Sequence, residues 1–127
     1  EGKPMPAKIL VVDDEVHLVK IVQLTLERAG YDVVCAYDGG EALEMARREK
    51  PSLVLLDLTL PVIDGLRVCT MLKEEEPTKS IPIIVLSARD LSVERARESV
   101  PADLFVEKPF NTIVLLEKIA SLLKAAG

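Results

Sequence analysis

Short apolar runs alternate with longer amphipathic ones along this whole chain, and that alternation restricts the fold more than any other feature. Lys8 to Val12 (KILVV) reads as a buried strand, followed by a helix over about Val16 to Ala29 and by Gly30, where a helix C-terminus favours a left-handed residue. Asp32 to Ala36 is a second strand, and Gly39-Gly40 opens a helix that runs to about Glu49 before Pro51 stops it. Leu53 to Leu56 makes a third strand. The helix after Asp64-Gly65 continues to the Glu74-Glu75-Glu76 cluster and ends by Pro77. Pro82 to Leu86 and Asp103 to Val106 are the fourth and fifth strands, with a short charged helix over about Ser92 to Val100 between them. The last helix starts after Asn111, a good N-cap, and carries Ile113, Leu116, Ala120 and Leu123 at helical spacing. Strands that are apolar throughout, separated by helices, predict a parallel sheet covered on both faces. Five such units give an α/β doubly wound sheet of order 2-1-3-4-5, a flavodoxin-like (βα)5 fold.

At 127 residues the chain is one domain's worth. Glu1 to Pro4 precede Met5 and read as a remnant, so residues 1–7 are set apart as an N-terminal extension and 8–125 are taken as the domain. Hydrophobic residues reach 49% but aromatics only 3%, so the core must be made of Val, Ile, Leu and Ala. A net charge of −5 argues against nucleic-acid binding as the main task, which needs clustered Lys and Arg. No apolar run approaches the ~18 residues of a membrane span, and no secretory signal is legible, which points to a cytoplasmic protein. Cys35 and Cys69 lack metal or redox spacing and read as inert core residues.

In open parallel sheets, ligands bind beyond the C-terminal strand ends, beside the switch point between strands 1 and 3. Strand 1 runs into Asp13-Asp14-Glu15, strand 3 into Asp57, strand 4 into Ser87 and strand 5 into Glu107-Lys108-Pro109. The fold would therefore gather three carboxylates, a hydroxyl and an ammonium at one edge. Two carboxylates ~4 Å apart repel by about 4 kcal/mol at an effective dielectric of ~20, so one stays protonated or a divalent cation neutralises the set. Oxygen ligands too few for a calcium cage favour Mg²⁺ with retained waters. Taken alone, Asp13-Asp14 equally suits the start of a helix, Ser87 suits a cap, and Lys108 suits a solvated lysine. Pro109 argues against that last reading, because it biases Lys108 toward an extended backbone.

Taken in order, Asp13-Asp14, Asp57 with Pro61 and Asp64-Gly65 (DLTLPVIDG), Ser87-Ala88 and Lys108-Pro109-Phe110 resemble the receiver domain of two-component response regulators. The resemblance extends from about Lys8 to Leu123. It implies a phosphoacceptor signalling domain rather than an enzyme acting on a separate substrate, one that catalyses its own phosphorylation and dephosphorylation. Asp57 would take a phosphoryl group from a sensor histidine kinase or phosphotransfer protein. Asp14, Asp57 and the Thr59 carbonyl would bind Mg²⁺, with Asp13 assisting, and Lys108 would stabilise the phosphoryl oxygens. Ser87 and Phe105 would form the switch, read through the fourth and fifth strand–helix units by an output domain, a downstream protein or a second copy of the chain. Glu15, at a commonly acidic position, is read as stabilising the helix start.

The first helix has more apolar residues than one stripe requires. Leu18 and Ile21, with His17 in the same turn, form either a kinase-docking patch or part of a wide core-facing stripe. His17 reads as a surface contact, not a phosphoryl carrier. Thr59 and Arg89 occupy positions that tune acyl-phosphate hydrolysis in the family. Pro101 stands where receivers usually have glycine, and the last helix lacks an arginine that many regulators use to dimerise. Two rival classes fit less well. An aspartyl-nucleophile phosphohydrolase would want an acid at Thr59, and a flavin or nucleotide module would want a Gly- or Ser/Thr-rich loop where Asp13-Asp14-Glu15 stands.

Overall fold

The computed structural model describes residues 6–88 and 100–126. Five strands, β1 (Lys8–Val12), β2 (Asp32–Ala36), β3 (Leu53–Asp57), β4 (Ile83–Ala88) and β5 (Leu104–Lys108), form one parallel sheet of order β2-β1-β3-β4-β5, as the alternation predicts. Helices α1 (Val16–Arg28), α2 (Gly39–Glu49), α3 (Gly65–Glu74) and α4 (Thr112–Ala126) cover it. The helix expected over about Ser92 to Val100 lies outside the described residues except for Val100, as does Arg89. Among the described residues no helix is long and apolar enough to cross a membrane.

Strand residues alternate between two faces, and the core divides accordingly. Leu10, Val12, Val54, Leu56, Ile83 and Val85 pack on α2 and α3 through Ala42, Leu43, Ala46, Val68, Cys69 and Leu72. Ile9, Val11, Leu53, Leu55, Ile84 and Leu86 pack on α1 and α4 through Val19, Val22, Leu26, Leu115 and Ile119. The central strands are buried on both faces, which is why they read as continuous apolar runs. Each fully buried Leu, Ile or Val contributes about 1.5–3 kcal/mol relative to exposure. Cys69 is one of these core residues, and Cys35 is half-buried beside Gln23.

Three local expectations need correction. The last helix buries Leu115 and Ile119, with Leu116, Leu122 and Leu123 partly covered, whereas Ile113 is 67% exposed and Ala120 is exposed. An apolar spacing of three or four fits two neighbouring stripes in so hydrophobic a helix, and packing on β5 and α1 selects one. Strands 3, 4 and 5 run through Asp57, Ala88 and Lys108, because a polar side chain does not interrupt backbone pairing: Asp57 pairs with Leu86 and Ser87 with Glu107. Strands 4 and 5 also start one residue later than expected. Pro82 offers only its carbonyl, to Val54 N at 3.0 Å, and the Asp103 carboxylate turns to accept Ile83 N at 2.7 Å.

Helix boundaries follow their capping chemistry. Asp38 Oδ1 accepts Glu41 N (2.7 Å), Asp64 Oδ1 accepts Leu66 N (3.1 Å), and Asn111 Oδ1 accepts Ile113 N (2.8 Å). Gly30 adopts φ 98° after α1, in the left-handed conformation the sequence predicts.

Candidate functional site

The loop from β3 to α3 is tightly held. Pro61 O accepts both Gly39 N (3.1 Å) and Ile63 N (2.9 Å), the latter closing a three-residue turn around Val62. Val62 has φ 72° and is 80% exposed, a strained conformation for a β-branched residue with no burial to compensate. Glycine is required on both sides of this loop. A Cβ on Gly39 would collide with Ile63 O, and one on Gly65 would collide with Asp57 O and stand 2.7 Å from Leu58 Cα. Close packing of α2 and α3 on the loop thus defines the backbone that leaves Asp57.

At the C-terminal strand ends, Asp13, Asp14 and Asp57 each present a carboxylate oxygen, and these oxygens lie within 4.8 Å of one another. Asp13 and Asp57 are buried, while Asp14 is exposed. Lys108 reaches across from β5, its Nζ lying 2.7 Å from Asp13 Oδ2 and 3.4 Å from Asp57 Oδ1. The peptide bond between Lys108 and Pro109 is cis. Asp14, Glu15, Asp57, Thr59 and Lys108 line a cleft of about 240 Å³. Thr59 is exposed, and its backbone N–H donates to the Asp57 carboxylate. Ser87 is 3% exposed at the end of β4 and is not among the residues lining the cleft.

The electrostatics of this cluster are unbalanced. Burial, reinforced by the charge of Asp13, raises the Asp57 pKa from 3.8 to about 6, against the opposing pull of Lys108 and the Thr59 N–H. Burial works to lower the pKa of Lys108, but Asp13 and Asp57 outweigh it and the net shift is upward. An ionised Asp57 therefore sits at a cost that one ammonium does not remove. An added divalent cation would lower that cost, and three oxygens at this spacing are a donor set that suits a hard, oxygen-binding ion.

The remaining candidates fall into two groups. Phe105, on β5 opposite Val85, is half-buried against the α2/α3 side of the core. On α1, His17 is exposed, Leu18 is partly buried against the α1/α4 core, and Ile21 is 56% exposed. A second hollow of about 340 Å³ adjoins the cleft, lined by Glu15, Leu18, Lys108, Pro109 and Phe110. Glu15 stands at the N-cap of α1, as a helix-start acid would, but its side chain makes no capping hydrogen bond and lies 3.8 Å from Lys108 Nζ. Sequence reasoning missed this contact. The only signal for it was a third consecutive acid after β1.

Residues 9–120 match the profile of the response regulator receiver domain. The alkaline phosphatase synthesis transcriptional regulatory protein PhoP of Bacillus subtilis (strain 168) is 40% identical over 121 residues, which cover 94% of this chain and 50% of PhoP. The chain thus spans about half the length of that relative. A CheY-like response regulator receiver domain protein from Methanospirillum hungatei JF-1 superposes with a TM-score of 0.87 at 29% identity, covering 95% of this chain and 96% of its own. The receiver domain of the sensor histidine kinase PA1611 from Pseudomonas aeruginosa PAO1, solved with a magnesium ion coordinated in its active site cleft, also gives 0.87, at 27% identity and with 94% and 98% covered.

Proposed function

The chain belongs to the response regulator receiver-domain family, and from that premise we propose that Asp57 is its phosphoacceptor and residues 8–125 its working unit. The observation that carries this reading is a buried carboxylate with a raised pKa, 3.4 Å from a lysine ammonium, lining an acidic cleft. With a pKa of about 6, Asp57 is mostly ionised at neutral pH and available as a nucleophile.

The phosphoryl donor is a phosphohistidine on a sensor histidine kinase or phosphotransfer protein. An Asp57 carboxylate oxygen attacks phosphorus, the phosphorus–nitrogen bond breaks, and the histidine leaves with its electron pair and takes up a proton. Lys108 holds negative charge on the transferring oxygens, and its bridge to Asp13 keeps the ammonium at the cleft. Asp14 and Asp57, with Asp13 assisting and the Thr59 carbonyl, would hold Mg²⁺, which fits the three clustered carboxylate oxygens. Bound there, the ion supplies charge neutralisation for the acids and the phosphoryl oxygens. Water attack on the acyl phosphate later resets the domain.

Phosphorylation takes the group at Asp57 from −1 to about −2. Its new acceptor oxygens draw the Ser87 hydroxyl toward the cleft, and Phe105 on the neighbouring strand follows. The face built from β4, β5 and α4 then differs for an output domain, a downstream protein or a second copy of the chain. Donor docking uses Leu18 and Ile21, with His17 at its edge. Such a switch fits a cytoplasmic location, where the kinase's phosphohistidine is accessible.

The test is direct. Incubation with Mg²⁺ and acetyl phosphate should add one phosphoryl group, mapped by peptide mass to Asp57, and no uptake should occur when chelator is present from the start or in Asp57→Asn. Modification at another residue, or equal uptake in Asp57→Asn, would refute the assignment.

A further inference from the structure

Glu15 stands in the cleft with no task in the chemistry above. Its carboxylate is 3.8 Å from Lys108 Nζ with its side chain 68% exposed, so it faces both solvent and the ammonium. It lines the acidic cleft and also the adjoining hollow with Leu18, Pro109 and Phe110. Its backbone N–H donates to Asp13 Oδ1 at 3.0 Å, which ties it to the carboxylate that grips Lys108. Three acids, Asp13, Glu15 and Asp57, therefore share one ammonium, and Asp14 stands beside two of them. Asp13, Asp14 and Asp57 can converge on a cation, whereas Glu15 is absent from that convergent set. Its charge is left exposed on the cleft wall, 3.8 Å from Lys108 Nζ, where it adds to the field met by an incoming group.

We propose that Glu15 is a specificity-determining residue: its charge beside Lys108 favours entry of the divalent cation and disfavours small dianionic phosphodonors. The proposal rests on Asp57 being the acceptor. A field of this kind acts on affinity, since it is felt by free cation and free donor as they approach. A donor presented by a protein surface is less exposed to it, because contacts in the Leu18–Phe110 hollow contribute to binding independently of the donor's charge.

The experiment uses Glu15→Gln in the full chain, which keeps the side-chain shape and removes the charge. In donor-free protein, Mg²⁺ is titrated and followed by amide NMR shifts; the dissociation constant should rise about 2- to 5-fold, the range that exposed charge pairs reach. At saturating Mg²⁺, the half-saturating acetyl phosphate concentration should fall by a similar factor, the gain appearing there and not in the maximal rate. Both effects should shrink at about 1 M salt, where the screening length is about 3 Å. Unchanged Mg²⁺ affinity, an unchanged half-saturating concentration, or effects that survive high salt would each overturn the proposal. If wild-type protein takes up no phosphoryl group, the Asp57 assignment fails instead, and the donor-free titration alone decides whether Glu15 acts on the cation.

Discussion

Where the strands begin, Lys73 Nζ bonds to Ile81 O (2.8 Å) and pairs with Asp103 (2.9 Å), while the same Asp103 oxygen accepts Ile83 N. One cation meets one acid, and the buried Thr78 hydroxyl finds Leu72 O at 2.7 Å. Where the strands end, Lys108 is shared by Asp13, Asp57 and Glu15 at 2.7, 3.4 and 3.8 Å, with Asp14 close by. The loop there also holds Val62 in a strained turn. The first arrangement is complete within the fold and stabilises it. The second leaves charge that only something from outside can balance, as expected of a binding site maintained at the expense of stability.

Substitutions should separate the two ends. The largest loss is expected from Gly39→Ala, whose methyl would collide with Ile63 O: about 3 kcal/mol in denaturant melts, the upper end for overpacking, with impaired phosphoryl uptake because the Asp57 loop must shift. Thr78→Val should cost about 1–3 kcal/mol by leaving Leu72 O without its hydroxyl donor, yet leave uptake at Asp57 intact. If uptake fell in step with stability, the two ends would not be independent. Val62→Gly should stabilise the chain by roughly 0.5–1 kcal/mol: it removes a left-handed penalty of about 1–2 kcal/mol, offset by glycine's greater flexibility when unfolded. Destabilisation by Val62→Gly would mean that the exposed side chain makes contacts that outweigh the strain.

Much of this organisation was legible before the fold was known. Alternating apolar runs define a parallel sheet covered on both faces, because each strand–helix unit must bury its own apolar residues, and the order follows from the likeness to the flavodoxin-like fold. Asp13, Asp14, Asp57 and Lys108 were legible as a group because each follows an apolar strand, and parallel topology brings such positions to one edge. Side-chain geometry was not. Glu15 could equally have faced the helix N-terminus, and its approach to Lys108 depends on rotamers and on the path of β5. Thr78 sits in a polar stretch that reads as a loop, so nothing signalled that its hydroxyl is buried. In α4, Ile113 and Ala120 keep helical spacing with the residues that are buried, and only docking on the sheet distinguishes the stripes. Val62 gave no signal, since a valine rarely occupies positive φ.

The imbalance at the C-terminal end has a measurable sign. Because the fold raises the Asp57 pKa from 3.8 to about 6, the stability advantage of the protonated form is fully present below about pH 3.8 and is lost as pH rises through 6. Asp57→Asn, neutral throughout, should not suffer that loss. The decisive measurement is therefore the melting temperature of wild type and Asp57→Asn at pH 7.5, with and without Mg²⁺. The prediction is that metal-free Asp57→Asn melts higher than metal-free wild type, and that Mg²⁺ raises wild type far more than the variant. Equal melting of the two metal-free proteins, together with no response of wild type to Mg²⁺, would contradict the claim that this end of the sheet holds charge awaiting a partner.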